Sequence, residues 1–323
     1  MKAIRIHEFG GADVLKYEDV PEPEPKPNEA LVKVDAAGVN FIDIYQRTGV
    51  YKLSLPATLG LEGGGIVSAI GADVKAVKVG DRVAWTSVPG AYAELAAVPA
   101  DRLVTLPPSV TTSQGAAAML QGLTAHYLTH STYPLRAGDT CLVHAGAGGV
   151  GLLLTQIAKR LGARVITTVS TEEKAALSRE AGADLVVLYT SQDFEAEVKT
   201  FTGGKGLPVV YDSVGQATIA KSINCLAPRG MLVLFGQSSG VVPSVDPQFL
   251  SQKGSLFFTR PTLVHYIATH DELQQRARDL FNWIGSGQLR LRMEFLFPLR
   301  DAARAHDSLA GRKTTGKVLL TPG

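Results

Sequence analysis

One stretch restricts the fold of this chain more than any other. The run Thr140-Cys141-Leu142-Val143-His144-Ala145 reads as a buried strand, and residues 150–161 are apolar at helical spacing. Between them lies Ala145-Gly146-Ala147-Gly148-Gly149-Val150-Gly151, a Gly-x-Gly-x-x-Gly turn. Glycine at 146 permits a tight turn, at 148 a close backbone approach by a ligand, and at 151 close packing of helix on strand. The helix start then presents free N–H groups and the positive end of its dipole to an anion. The bare pattern is weak, but its strand-then-helix setting makes it a cradle for the pyrophosphate of a dinucleotide.

The rhythm continues downstream. Strands are predicted at 140–145, 163–169, 185–188, 208–212, 231–235 and 256–259, and helices at 150–161, 172–181, 194–201 and 217–226. Gly162 and Gly182 fall where the first two helices should stop. The last connection, 237–255, shows no clear helix. Alternation of this kind implies right-handed crossovers and an α/β fold with a doubly wound, parallel six-stranded Rossmann sheet. The zone before it, up to about residue 118, carries short β-type runs between Gly and Pro turns, such as Ala30-Leu31-Val32-Lys33-Val34 and Arg82-Val83-Ala84-Trp85. It reads as a distorted β-barrel or sandwich. The tail has helical patterns at 271–285 and 299–309 and a strand at 317–320. It is too small to stand alone and should pack back on the first zone. The expected domains are 1–120, 121–262 and 263–323, the first and last forming one body.

A length of 323 residues suits two domains, and 45% hydrophobic with 19% charged residues is an ordinary globular balance. A formal charge of +2 gives no reason to expect nucleic acid or an anionic membrane as partner. No apolar stretch is long enough for a membrane span, and Met1 to Glu8 lacks the apolar core of a signal peptide, so a cytoplasmic protein is expected. Cys141 and Cys225 sit in apolar runs and read as buried thiols on a strand and a helix.

The second strand ends Val169-Ser170-Thr171-Glu172-Glu173-Lys174. NAD sites usually place an acid at this strand end, where Ser170 stands here. Ser170 and Glu173 fit a capping box. The Ser170 and Thr171 hydroxyls with the Lys174 ammonium would suit a 2′-phosphate, which favours NADPH over NADH. Two other readings stand beside it: Glu172 could face the ribose, and Lys174 could be a solvated helix residue.

Zinc sites need clustered Cys, His or acids, and the chain has neither Cys-x-x-Cys nor His-Glu-x-x-His. His126 and His130 are four residues apart without a third ligand and read as a satisfied helix pair. There is no Gly-x-Ser-x-Gly elbow, and neither cysteine has an activating neighbour. Metal-free hydride transfer is therefore expected, which needs little beyond placing a nicotinamide against its acceptor. Tyr45, Tyr51 and Tyr127 are proton-donor candidates by residue type, and equally pocket-wall or core aromatics.

Seven segments in order resemble the zinc-free quinone oxidoreductases, the ζ-crystallin type, of the medium-chain dehydrogenase/reductase superfamily. They are Ala37-Gly38-Val39-Asn40-Phe41-Ile42-Asp43, Leu59-Gly60-Leu61-Glu62-Gly63-Gly64-Gly65, Val79-Gly80-Asp81-Arg82-Val83, the glycine turn, Tyr211-Asp212-Ser213-Val214-Gly215, Phe235-Gly236-Gln237-Ser238-Ser239-Gly240, and the pair Ala305-His306 with Thr315-Gly316-Lys317-Val318. Zinc-dependent relatives carry a Cys near Val39-Asn40, a Gly-His-Glu where this chain has Gly60-Leu61-Glu62, and a four-cysteine structural lobe that is missing here, so the resemblance implies that both the catalytic and the structural metal are absent.

The resemblance implies a GroES-like, β-barrel-type catalytic domain built from both chain ends, with a Rossmann domain inserted and a cleft between them for nicotinamide and acceptor. It places Asn40 and Tyr45 at the nicotinamide and pocket, as the catalytic candidates. Tyr127, Gly149 and Val150, with Gly146, Gly148 and Gly151 of the turn, lie along the dinucleotide. Ser170, Thr171, Lys174 and Tyr189 fall around the adenosine 2′-phosphate, and Ser238, Ser239, Gly240 and Arg312 complete the shell. The implied activity is hydride transfer from NADPH to a quinone by a homodimer joined through the Rossmann sheet edge. Two rivals are an NADPH-dependent reductase of enoyl thioesters or α,β-unsaturated carbonyls on the same fold, and a non-catalytic, crystallin-like or RNA-binding protein.

Overall fold

The computed structural model describes residues 1–322. In chain order its elements are β1 (Lys2–Ile6), β2 (Lys16–Asp19), β3 (Glu29–Val39), α1 (Phe41–Arg47), β4 (Ala57–Thr58), β5 (Glu62–Ile70), β6 (Arg82–Thr86), β7 (Leu95–Pro99), β8 (Val104–Thr105) and α2 (Thr112–Tyr127). Then follow β9 (Thr140–Val143), α3 (Gly149–Arg160), β10 (Arg164–Val169), α4 (Glu172–Glu180), β11 (Leu185–Leu188), α5 (Phe194–Phe201), β12 (Leu207–Asp212), α6 (Ile219–Asn224), β13 (Leu226–Leu234), α7 (Pro247–Gln252) and β14 (Phe257–Thr259). The chain ends with α8 (His270–Gly285), β15 (Phe295–Pro298), α9 (Ala302–Ala310) and β16 (Val318–Thr321). Two compact units result: one joins residues 1–123 with the chain from Ile267 onward, the other is 124–266.

The first unit is built on a sheet in the order β15-β16-β3-β5-β6-β8, with β7 also paired to β3. β3 is its long centre. Ala30, Val32 and Val34 alternate into a core that holds Ile4, Ile6, Val83, Trp85, Tyr92 and Leu320, while residues 36–39 are buried on both faces. Pairing of β3 with β5 (Ala37 opposite Gly63) and with β16 (Val39 opposite Val318) brings three distant segments to one place.

The second unit has the six parallel strands expected, in the order β11-β10-β9-β12-β13-β14. Leu142, Ile166, Val187, Val210 and Leu232 supply its apolar layer. The strand order reverses between β9 and β12, so the turn after β9 opens at the switch point where doubly wound sheets take their ligands.

Several local expectations shift. The β-rich first zone contains α1, although Phe41, Ile42, Ile44 and Tyr45 are strand-favouring residue types. Asn40 in extended geometry starts the helix, and the Asp43 carboxylate accepts the Asn40 N–H at 2.7 Å. The last crossover does contain a helix, α7, opened by Asp246 as N-cap and Pro247 at its first position. β15 adds to β16 in parallel and ends in proline. The capping box at Ser170 is not formed. Thr171, at φ −141° and ψ 162°, is the N-cap of α4; its hydroxyl accepts from Lys174 N at 3.3 Å, and Glu173 bonds Thr171 rather than Ser170. Cys225 lies just past the end of α6, and burial pushes both it and Cys141 up to about 12.

Candidate active site

The glycine turn is held by its own backbone. Ala145 takes a left-handed φ of 55°, Gly148 N–H closes on Ala145 O at 2.9 Å, and Gly146 N–H reaches Thr168 O at 3.0 Å. Gly148 caps α3 without a side chain, and the first intrahelical bond is Leu152 N–H to Gly148 O. The N–H groups of Gly149, Val150 and Gly151 precede it and have no acceptor within the helix. A Cβ on Gly148 would meet only Ala145, its oxygen at 3.2 Å, so this side of the turn is open to a ligand. A Cβ on Gly151 would collide with Ala145 O, and one on Gly146 would reach Ser178 Oγ at 2.9 Å. Gly146 thus serves close packing against β10 and α4 rather than an unusual φ. An open, uncharged cradle beneath three free N–H groups fits a pyrophosphate.

A buried network fastens the strand ends beneath the turn. Ser222 donates to Asp212 at 2.8 Å, so His144 Nε2–H donates to Ser222 at 2.9 Å and its Nδ1 accepts from Thr168 at 2.9 Å. Burial lowers the His144 pKa against the opposing pull of Asp212, which keeps the ring neutral. Asp212 also accepts the N–H groups of Val214 and Gly215 and the Thr218 hydroxyl.

Val169 pairs with Leu188, which sets Ser170 and Tyr189 side by side at the ends of β10 and β11. Thr190 donates to Ser170 O at 3.2 Å, and the Tyr189 ring is exposed. Thr171 and Lys174 stand at the start of α4. Glu172 is engaged by Arg179 at 3.4 Å further along the same helix, and Glu173 by Thr171, so both acids of this turn have partners of their own. The 236–240 loop is tied to the turn after β12: Ser239 Oγ donates to Val214 O at 2.7 Å and accepts from Ala217 N–H at 3.0 Å. Ser238 N–H bonds Ser213 O, and Gly240 sits at φ 124°. Tyr127 is buried, its ring stacked on Tyr266 at 4.2 Å, and burial raises its phenol pKa. In the first unit, exposed Arg312 follows α9 in a left-handed conformation.

Asn40 lies in the first unit in a setting that sequence reasoning did not reveal. Its Oδ1 accepts from Lys317 Nζ at 2.9 Å and from Gln121 Nε2 at 3.3 Å, while its Nδ2 donates to Glu62 Oε2 at 2.9 Å. Lys317 and Glu62 form a direct ion pair, 2% and 0% exposed, and Glu62 also accepts Leu120 N–H. Beyond Asn40, Asp43 accepts from the Tyr92 hydroxyl at 3.0 Å, and Tyr92 meets His306 Nε2 at 3.1 Å. Desolvation raises Asp43 to about 7, with Asn40 N–H and the Tyr92 hydroxyl opposing. Desolvation, then the Arg47 charge, lowers His306 to about 3. On α1, the helix that Asn40 caps, the Tyr45 ring packs edge-on against Tyr51 at 5.4 Å and lies 6.2 Å from Phe41.

Among the described residues no group of three or more His, Cys, Asp or Glu is placed to hold a metal. His126 and His130 stack ring on ring at 4.2 Å, and His130 Nδ1 donates to His126 O at 3.0 Å. No helix among the described residues is long and apolar enough to cross a membrane.

Comparison with known proteins adds relatives. The alcohol dehydrogenase GroES-like domain family matches residues 26–108, and the zinc-binding dehydrogenase family matches 149–284. A quinone oxidoreductase of Pseudomonas aeruginosa is 49% identical, covering 99% of both chains. The Escherichia coli quinone oxidoreductase, solved in complex with NADPH, matches with a TM-score of 0.98 at 44% identity, covering 100% of both chains. A 2-haloacrylate reductase of a Burkholderia species is 40% identical, covering 98% of both.

Proposed function

Because the chain belongs to the quinone oxidoreductase family of the medium-chain dehydrogenase/reductase superfamily, we propose that it reduces a quinone with NADPH. The observation that carries the cofactor half is the open glycine turn with three free helix N–H groups. NADPH, when bound, supplies the hydride. The N–H groups of Gly149, Val150 and Gly151 hold its pyrophosphate. Ser170, Thr171, Lys174 and Tyr189 take the 2′-phosphate, Lys174 supplying the charge-assisted contact. Ser238, Ser239, Gly240, Tyr127 and Arg312 complete the shell. Asn40 and Tyr45 serve the nicotinamide and the acceptor, and Tyr45 with Phe41 and Tyr51 offers flat aromatic surface suited to a quinone ring. Residues 121–262 act as the NADPH-binding domain, and 1–120 with 263–323 as the catalytic one. No metal takes part.

The test is NADPH oxidation with a small benzoquinone, with and without a chelator. Turnover unaffected by the chelator is expected; chelator-sensitive turnover would overturn the metal-free reading. One relative, the 2-haloacrylate reductase, favours a second reading, reduction of an activated carbon–carbon double bond. The protein is further read as a cytoplasmic homodimer, joined through the edge strand β14, where Phe257 is 57% exposed.

A further inference from the structure

We propose that Lys317 and Glu62 are positioning residues that fix the carboxamide of Asn40 in one orientation for the reaction. This rests on the reading that Asn40 serves the nicotinamide and the acceptor. An unclamped carboxamide has two orientations related by a half-turn, which exchange its oxygen and nitrogen. Here a cation faces the oxygen and an anion faces the nitrogen: Lys317 Nζ donates to Oδ1 at 2.9 Å, and Nδ2 donates to Glu62 at 2.9 Å. A half-turn would press the amide N–H groups on the ammonium and the carbonyl on the carboxylate, so only one orientation is allowed. Gln121 adds a second donor to Oδ1, and Gly38 O faces Nδ2 at 3.4 Å. The ammonium also polarises the amide, since its charge is buried and so interacts strongly with it.

The surroundings are built for this clamp. Glu62 opens β5, Lys317 immediately precedes β16, and Asn40 follows β3, the strand that pairs with both. Gly38 on β3 leaves the room: a Cβ there would collide with Glu62 Oε2 and with the Lys317 ammonium. A buried ion pair is a poor device for stability, because desolvation offsets its attraction, whereas fixing one arrangement of polar groups is an attested use of such pairs.

The experiment is a double-mutant cycle in the full-length protein. Lys317→Met alone strands a buried carboxylate, so the pair Glu62→Gln/Lys317→Met removes both charges at nearly constant shape. It is made with Asn40 present and with Asn40→Ala. With Asn40 present, kcat for NADPH and 1,4-benzoquinone should fall about tenfold or more, with the NADPH Kd little changed. With Asn40→Ala, the charge change should have almost no further effect on kcat. An unchanged kcat with Asn40 present, or an equal fall in both backgrounds, would overturn the proposal. Glu62→Gln alone, which leaves the ammonium an oxygen acceptor on Asn40, runs the same cycle if the pair does not fold.

A second readout is independent of turnover. In protein labelled with 15N-asparagine, the Asn40 side-chain NH2 signals, identified by their loss in Asn40→Ala, should show slow amide rotation and solvent exchange. Both should speed up in the charge-free variant, and unchanged signals would contradict the clamp. Wild-type protein inactive toward quinones would sink the quinone reading, while these signals would still decide the positioning.

Discussion

At the scale of single residues, the proposed discrimination between NADPH and NADH rests on charge placement. Lys174 is the cation on the first turn of α4, while Glu172 is drawn off by Arg179. Lys174→Glu should raise the KM for NADPH by about tenfold or more, the worth of one charge-assisted contact, and barely change that for NADH. Equal changes in steady-state assays with the two cofactors would refute the 2′-phosphate assignment. A second residue-scale outcome concerns Asp43 and His306. The Asp43 pKa of about 7 lies above its ordinary 3.8, so its contribution to stability is full at low pH and lost as pH rises through 7. The His306 value of about 3 lies below 6.5, so its contribution is full above 6.5 and lost as pH falls toward 3. In the shared window the two slopes oppose, because the folded chain keeps a proton on Asp43 and withholds one from His306. Asp43→Asn should therefore steepen the loss of stability toward acid relative to wild type. His306→Gln should steepen the loss as pH rises from about 4 to 7. Urea unfolding across pH reads both, and slopes unchanged in the two variants would show that the groups do not titrate as described.

At the scale of elements, the glycine turn separates packing from binding. Gly151→Ala drives a Cβ into Ala145 O and should cost about 2 kcal/mol of stability. Gly148→Ala keeps an ordinary φ and touches only Ala145, its oxygen at 3.2 Å, so it should cost less stability than Gly151→Ala yet weaken NADPH binding. Thermal unfolding and cofactor fluorescence distinguish the two; equal stability losses would contradict these roles. The strand–turn–helix was legible in the sequence because its signals are local: an apolar strand, three glycines and a helical stripe, all contiguous within residues 140–161. The α4 cap slipped by one residue because Ser170 and Thr171 are chemically equivalent caps, and only the extended backbone at Thr171 decides between them. α1 hid because β-forming side chains fill it, and its start depends on the reciprocal cap between Asn40 and Asp43. The clamp on Asn40 was not legible at all. Glu62 and Lys317 stand 255 residues apart, and only the pairing of β3 with both β5 and β16 brings them together.

At the scale of the whole molecule, a six-stranded parallel sheet that opens at its switch point is joined in one chain to a β-rich unit carrying Asn40 and Tyr45. The β14 edge, with exposed Phe257, should support a dimer. Phe257→Glu should shift the molecular mass in light scattering from dimer toward monomer, and a dimer that persists unchanged would place the interface elsewhere. The central claim is NADPH-dependent reduction of a quinone. Its most direct test is kcat/KM with NADPH for 1,4-benzoquinone, set against crotonyl-CoA and a 2-alkenal under the same conditions. A clear preference for the quinone is predicted, and a preference for either unsaturated carbonyl would contradict it.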